Sequence, residues 1–193
     1  MHELKSDIKN VEKIYHLADI HIRNVKRHTE YSLVFENFYE QVKNDNLDNA
    51  LIFIGGDIAH AKTEMSPELI KQISSFLRRC SKLHPTLVIA GNHDCNLNNP
   101  DRLDVLSPIM DMMDDDNLFY LKNSGVYKIG DVGVGVFSIL DDPENYVLTF
   151  HLSQEDLEAG INAIENPTAY VNETPLQNIY CRVENINTTC FTT

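Results

Sequence analysis

The sequence has no tryptophan and few basic residues. Its 16 lysine and arginine residues are outnumbered by 29 aspartate and glutamate residues, so the formal net charge is −13. This balance disfavours a domain that holds nucleic acid by broad neutralisation of phosphates, because that mode of binding needs clustered lysine and arginine. An acidic protein can still act on a phosphodiester if bound cations mask its local charge.

Long apolar runs and paired cysteines are also missing. No run approaches the roughly 20 apolar residues of a membrane span, and the segment from Met1 to Asp7 lacks the apolar core of a signal peptide. We therefore expect a soluble, intracellular protein, in the cytoplasm or in a eukaryotic nucleus, with no membrane partner. The four cysteines form no C-x-x-C pair. This spacing disfavours a disulfide scaffold or a thiolate zinc site and predicts reduced, mostly buried thiols.

The first half of the chain alternates between strand and helix patterns. Apolar runs predict strands at 14–18, 50–54 and 86–90, and helical spacing of apolar residues predicts one helix capped by Thr29 and another that begins at Ser66-Pro67-Glu68. Strands separated by helices pair in parallel through crossovers, which predicts an α/β layered fold. Ligands bind such sheets beyond the carboxyl ends of the strands.

The pattern weakens in the second half of the chain. We predict a helix at 103–113 and strands at 118–121, 126–129 and 132–140, the last two joined by a hairpin at Gly130-Asp131. From Thr149 the composition shifts to six asparagines and seven threonines with a single basic residue, and one further helix is predicted at 153–164. We divide the chain into a polar leader (1–12), a core (13–148) and an atypical tail (149–193).

Polar clusters follow each of the first three predicted strands: Asp19-x-His21, Gly56-Asp57-x-x-His60 and Gly91-Asn92-His93-Asp94. Their carboxylate, imidazole and amide donors suit Mn, Fe, Zn or Mg better than soft metals. Asp-x-His places two side chains on the same side of a strand end, and the two carboxylate oxygens of Asp57 could bridge two ions. Each cluster alone is more typical of a turn or a surface histidine. Their joint placement predicts a metal site.

The three motifs, in this order, resemble those of the calcineurin-like metallophosphoesterase family. Within that family they look most like the SbcD-type DNA double-strand-break repair nucleases, because a histidine stands three places after Asp57. The resemblance covers about residues 13–140. It implies a metallophosphoesterase-like β-sandwich flanked by helices, and the change of composition after this region predicts that the sandwich is truncated at the C-terminal side.

The resemblance implies roles for particular residues. Four of them would bind metal, with Asp57 as the bridge between two ions: Asp19, His21, Asp57 and Asn92. His93 would face the scissile phosphate as a catalytic residue, and His60 would orient His93 or the substrate. The implied cofactors are two divalent ions, Mn²⁺ first, with Fe, Zn or Mg as alternatives. The implied partners are DNA as the substrate, a second copy of the chain, and a coiled-coil ATPase of the SbcC type.

The family pattern is incomplete after His93. Three further histidines normally complete the metal shells, whereas His151 is the only later histidine here and fits neither family element. We therefore expect a weak second metal site, and exposed apolar surface on 132–140 that favours dimerisation or partner binding. The basic loop from Arg23 to His28, a second subunit or a basic partner would bind the DNA; the loop is equally typical of an ordinary solvated turn.

Three hypotheses follow from the sequence. The first is a two-metal phosphodiester hydrolase of the repair-nuclease type, impaired by its incomplete second shell. The second is a phosphomonoesterase or small cyclic phosphodiesterase. The third is a catalytically inactive remnant that serves as an interaction domain.

Overall fold

The computed structural model describes residues 2–61, 64–99, 101–141, 146–174, 177–186 and 191–192. Within these residues the protein is a mixed α/β structure with three sheets and four α-helices. The strands are β1 (His2–Glu3), β2 (Lys13–Leu17), β3 (Ala50–Ile54), β4 (Thr86–Val88), β5 (Leu118–Tyr120), β6 (Gly125–Ile129), β7 (Val132–Val136), β8 (Tyr146–His151), β9 (Tyr180–Asn185) and β10 (Phe191–Thr192). The helices are α1 (His28–Asp45), α2 (Pro67–Ser81), α3 (Ser107–Met113) and α4 (Gln154–Ala159), and Pro167–Ala169 form a 3₁₀ turn.

The central sheet contains four parallel strands in the order β2-β3-β4-β5. Along β3, Ile52 and Ile54 belong to the apolar core shared with the helices, whereas Leu51 belongs to a second core with Tyr127 and Ile129 of β6. The strand is continuously apolar because both of its faces are covered. The predicted α/β layered class is therefore confirmed, but a metallophosphoesterase-like β-sandwich is not.

Helix α2 begins as its sequence predicts. The Ser66 hydroxyl accepts a hydrogen bond from the backbone N–H of Leu69 at 3.2 Å, and Pro67 occupies the first turn. The predicted cap of α1 is wrong: the helix begins at His28, and the cap position is Arg27, with φ +65° and no side-chain cap. Thr29 therefore lies inside the first turn.

The second sheet contains β1, β6 and β7, and it includes part of the segment 1–12. β1 pairs in parallel with β6, and Ile8 is buried in the second apolar core. The antiparallel β6-β7 hairpin turns at Gly130, as predicted, with φ +59°. β7 ends at Val136 instead of continuing to Leu140, because the N–H of Ser138 bonds to the Ser124 hydroxyl at 2.8 Å. Beyond it, Phe137 and Ile139 are exposed.

The third sheet is antiparallel, in the order β10-β9-β8, and α4 packs on it. We call residues 146–192 the C-terminal unit and residues 2–141 the sheet unit. α4 ends at Ala159, short of the predicted residue 164, because Gly160 adopts φ +68° at the C-cap. Similarly, α3 begins at Ser107 rather than Leu103.

Three of the four cysteines lie among the described residues. Cys80 and Cys95 are buried and Cys181 is half-buried. Burial raises the pKa of the Cys80 thiol to about 12, so this thiol is unreactive near neutral pH. Cys190 lies outside the described residues. Among the helices that the structure describes, none combines the length and apolar character needed to cross a membrane.

Candidate metal centre

The loops that follow β2 and β3 stay paired beyond the ends of the strands. The backbone N–H of Asp19 donates to the carbonyl of Gly56 at 3.3 Å, and that of His21 donates to the carbonyl of Asp57 at 2.9 Å. A parallel bridge between Ile22 and Ala59 continues this pairing. The Asp-x-His and Gly-Asp motifs therefore lie side by side, as expected for the carboxyl ends of adjacent parallel strands.

Three of the polar residues in these loops have left-handed backbone conformations. The φ angles are +53° at Asp19, +51° at His21 and +54° at Asp57. A left-handed conformation costs a residue with a Cβ roughly 1–2 kcal/mol. Such strained residues cluster at functional sites, where surrounding contacts hold them in place. Here the three left-handed residues come from the loops after two strands, and their side chains lie close together.

Two glycines allow the loops after β3 and β4 to touch. A Cβ on Gly56 would lie 2.6 Å from the backbone nitrogen of Gly91, and a Cβ on Gly91 would lie 2.2 Å from Oδ1 of Asp57. Neither position accepts a side chain without movement of backbone or of the Asp57 carboxylate. The glycines of the Gly-Asp and Gly-Asn motifs are thus required by close packing.

The buried carboxylate of Asp94 ties the same two loops together. Its oxygens accept backbone N–H bonds from Ala59 at 2.9 Å, Gly91 at 2.9 Å and Ile58 at 3.3 Å. Burial raises the pKa of Asp94, and the three backbone donors oppose that rise. Asp94 is therefore a positioning residue.

The first donor group combines two carboxylates and one imidazole. One ligand atom each from Asp19, His21 and Asp57 lies within 4.8 Å of the other two. Nε2 of His21 is 3.7 Å from Oδ1 of Asp19 and 3.9 Å from Oδ2 of Asp57. These distances are too long for hydrogen bonds, and the donors converge without bonding to one another. The mixed oxygen and nitrogen set fits a divalent ion such as Mn²⁺, Fe²⁺ or Zn²⁺.

The second donor group consists of three imidazoles. One ring nitrogen each from His21, His60 and His93 lies within 4.8 Å of the other two, and the ring centroids of His21 and His93 are 4.5 Å apart. Nδ1 of His93 lies 2.9 Å from the carbonyl oxygen of His60. Because a carbonyl only accepts, Nδ1 carries the proton, and Nε2 of a neutral His93 keeps its lone pair.

Several contacts set the position and charge of these imidazoles. The Tyr31 hydroxyl donates to the carbonyl of His21 at 2.7 Å, and the N–H of His93 donates to Oδ1 of Asp57 at 2.7 Å. Partial desolvation by neighbouring groups lowers the pKa of His60, with smaller contributions from Arg23 and from the other two imidazoles. A lowered pKa favours neutral imidazole, the form that binds metals.

The structure brings five of the six predicted site residues into these two groups: Asp19, His21, Asp57, His60 and His93. Asn92 lies in the same loop, next to His93, and is exposed; its role as a ligand of a second ion stays a prediction. His151, the only later histidine, is fully buried in the C-terminal unit. Its Nδ1 lies 2.8 Å from the carbonyl of Ile161 and its Nε2 lies 2.9 Å from the Thr149 hydroxyl, so it supplies no ligand to this centre.

Sequence reasoning missed two residues that shape the centre. The position of Tyr31 fits the apolar spacing of α1, but its hydroxyl also donates to the carbonyl of His21. In the sequence, Asp94 stands out only as the last residue of its motif. Its position at the end of a glycine-containing turn could have indicated that it holds the loops, because a short carboxylate accepts backbone N–H bonds in turns. No sequence signal predicts the bond from Tyr31.

Comparisons with known proteins relate the chain to a family model and to a viral protein. A family model described as the Flavobacterium inter-domain disulphide bond domain matches residues 131–193. The chain is also 45% identical over 143 residues to the uncharacterized protein R555 of Acanthamoeba polyphaga mimivirus. That alignment covers 72% of this chain and 11% of R555, so the chain spans about a ninth of the length of this relative.

These findings overturn the resemblance to the calcineurin-like metallophosphoesterase family. No metallophosphoesterase family is detected, and the family model that does match covers residues 131–193, downstream of all three motifs. The physical reason is that the motifs are short and their residues also serve local structure. Gly56 and Gly91 permit loop contact, and Asp94 binds loop N–H groups, so these residues also meet the local needs of strand-end turns.

Proposed function

We propose that this centre is a divalent-metal site that hydrolyses phosphate esters, with the phosphodiesters of DNA as the substrate. The observation that carries the proposal is the convergence within 4.8 Å of two carboxylates and one imidazole from the loops that follow β2 and β3. The imidazole of His21 in this group also lies within 4.8 Å of the imidazoles of His60 and His93. The proposal rests on the chemistry of these donors and not on family membership. A β-sandwich flanked by helices is the architecture we propose around it, since the second sheet packs on the central sheet through a shared apolar core.

The carboxylate-containing group is the proposed metal site. Asp19, His21 and Asp57 would hold one ion, and Asn92 is the proposed additional ligand for a second. A bound divalent ion would supply Lewis acidity, lowering the pKa of water and neutralising phosphate oxygens. Oδ1 of Asp57 already accepts the N–H of His93, whereas Oδ2 lies 3.9 Å from Nε2 of His21 and is the oxygen that would bind the ion.

His93 is the proposed proton carrier. Its Nδ1–H donates a hydrogen bond to the carbonyl of His60. Nε2 is therefore the atom that would hold or release a proton at the leaving oxygen. The fixed ring orientation removes rotational freedom that would otherwise oppose proton transfer. His60 acts in this scheme through its backbone, which positions the ring of His93.

Positive charge beside the centre favours a phosphate substrate. Arg23 is close enough to lower the pKa of His60, and Lys26 and Arg27 lie on the same exposed loop. Guanidinium groups recognise phosphate oxygens in a paired geometry; the guanidinium of Arg27 is paired with Glu30, so Arg23 is the proposed phosphate contact. Because Asp19 and His60 are exposed, the centre is open at the surface, as a polymer backbone requires.

The test is hydrolysis of linear DNA by the purified chain in the presence of Mn²⁺, run beside an aryl phosphate. We expect Asp57→Asn and His93→Gln to abolish cleavage, whereas Asp116→Asn, an exposed carboxylate outside the centre, leaves it unchanged. Hydrolysis of the aryl phosphate but not of DNA would indicate that the substrate is a phosphomonoester and not a phosphodiester. Metal binding without hydrolysis of either compound would refute the proposed activity.

A further inference from the structure

We infer that His21, His60 and His93 form a second, all-nitrogen binding set for one borderline transition-metal ion such as Zn²⁺. We further infer that this ion competes with a carboxylate-bound ion for His21. The inference deepens the proposed function, because the competing ion occupies the proposed metal site. It differs from the roles that the motifs first suggested, in which His60 and His93 contact substrate and do not bind metal.

The donor chemistry separates the two groups. Three neutral imidazoles with an open fourth position suit Zn²⁺ and its neighbours in the transition series. Two carboxylates with one imidazole suit harder ions such as Mn²⁺ better. The ring nitrogens of the three histidines already lie within 4.8 Å of one another, so an ion could be bound with small side-chain adjustments.

The following contacts concern the orientation of the three imidazole rings and their availability to a metal ion. His93 donates from Nδ1 to the carbonyl of His60, and this arrangement holds a metal-binding imidazole in one tautomer. Among the described residues, buried Nδ1 of His21 has no hydrogen-bond partner, and Nε2 lies beyond hydrogen-bond distance from both nearby carboxylates. The ring of His60 is exposed, so an ion can reach it from solvent.

Competition follows from the shared residue. His21 belongs to both donor groups, and a neutral imidazole offers one lone pair. It can therefore bind an ion in the carboxylate set or an ion in the imidazole set, but not both together. Zn²⁺ bound by the three histidines would also engage His93, which removes the proposed proton carrier from the reaction. Excess Zn²⁺ should therefore inhibit Mn²⁺-dependent hydrolysis.

The test measures metal affinity directly, by calorimetric titration of the metal-free chain with Zn²⁺ and with Mn²⁺. We expect His60→Gln to weaken Zn²⁺ binding at least about tenfold, as loss of a ligand does, and to leave Mn²⁺ binding within about twofold. Asp19→Asn should produce the opposite pattern, and His21→Gln should weaken both ions. The matched control is His16→Gln, which replaces an exposed histidine on β2 outside both groups.

A second measurement follows Mn²⁺ release by its electron paramagnetic resonance signal as Zn²⁺ is added. We expect one Zn²⁺ to release one Mn²⁺ from the wild-type chain and not from His60→Gln. Unchanged Zn²⁺ affinity in His60→Gln, equal loss in His16→Gln, or simultaneous binding of both ions would overturn the inference. None of these results depends on hydrolysis, so failure of the proposed activity is recognised separately by the DNA assay.

Discussion

The sheet unit and the C-terminal unit are stabilised in different ways. Both faces of the central sheet are covered by apolar clusters, which include large and fully buried side chains such as Phe76 and Leu69. In the described part of the C-terminal unit, the buried apolar side chains are Leu157 and Val183, and they lie beside buried His151 and Arg182. The first unit therefore depends on apolar burial, and the second depends on a few buried polar groups.

The candidate centre and the region matched by the family model lie mainly in different units. Every residue of the two donor groups lies in the sheet unit, whereas the family model covers residues 131–193, mainly the C-terminal unit. Strained loop residues need a rigid support, and the sheet unit supplies it. The C-terminal unit contacts the sheet unit through the rings of Phe137 and Tyr146, whose centroids are 6.0 Å apart.

The largest effect is expected from Phe76→Ala in the sheet unit. The Phe76 ring is 2% exposed and lies 4.3 Å from the ring of Phe35, centroid to centroid. Deletion of a buried aromatic ring costs about 3–5 kcal/mol, and urea unfolding should show this loss of unfolding free energy. The control Leu33→Ala, at a position that is 62% exposed, should change it by less than about 0.5 kcal/mol. Equal effects of the two variants would contradict the dependence of the sheet unit on apolar burial.

The corresponding test of the C-terminal unit is Arg182→Met. Arg182 donates to the carbonyls of Leu157 at 3.0 Å and Glu158 at 3.3 Å, and it pairs with Glu184 at 3.1 Å. Loss of hydrogen bonds from a charged group costs about 1.5–3 kcal/mol. We expect limited proteolysis to cleave the C-terminal unit faster, while the Mn²⁺ affinity of the sheet unit is unchanged. Loss of Mn²⁺ binding would show that the units are coupled.

The sequence predicted the sheet unit better than the C-terminal unit, for a physical reason. Strands such as β3 and helices such as α2 bury regular apolar patterns, and such patterns are visible in the residues alone. In the C-terminal unit, long-range contacts such as the bond from Arg182 to Leu157 stabilise the fold, and no local pattern reports them. The same limit applies to the centre. The sequence indicated which donors meet, but the division into two groups that share His21 depends on backbone angles.

The third prediction tests the packing that brings the loops of the centre together. Gly91→Ala places a Cβ 2.2 Å from Oδ1 of Asp57, so we expect a loss of about 1–3 kcal/mol in unfolding free energy. Mn²⁺ affinity should fall as well, because the carboxylate must move. In Gly135→Ala, the matched control, the added Cβ meets nothing within 4 Å. Unchanged Mn²⁺ affinity in Gly91→Ala would contradict the proposed role of Asp57.

A smaller effect is expected from matched helix caps in the two units. Ser66 caps α2 by accepting from Leu69, and Ser153 caps α4 by accepting from Asp156. Alanine at either cap costs about 1 kcal/mol. We expect Ser66→Ala to lower the global unfolding free energy, and Ser153→Ala to speed amide hydrogen exchange only in the C-terminal unit. Global destabilisation by Ser153→Ala would indicate a single cooperative unit.

The smallest effect is the pH dependence that buried His84 gives to the sheet unit. Burial lowers the pKa of His84 from its usual 6.5, and the nearby Asp48 opposes this only partly. The folded chain therefore binds fewer protons than the unfolded chain just below pH 6.5. The contribution of His84 to the unfolding free energy is fully present above that pH and decreases as the pH falls. Because His84 packs against the Tyr15 ring at 6.1 Å, His84→Phe should keep the contact and flatten this slope in urea unfolding between pH 7 and 5. An unchanged slope would assign the acid sensitivity to other groups, with the histidines of the centre as the first alternative.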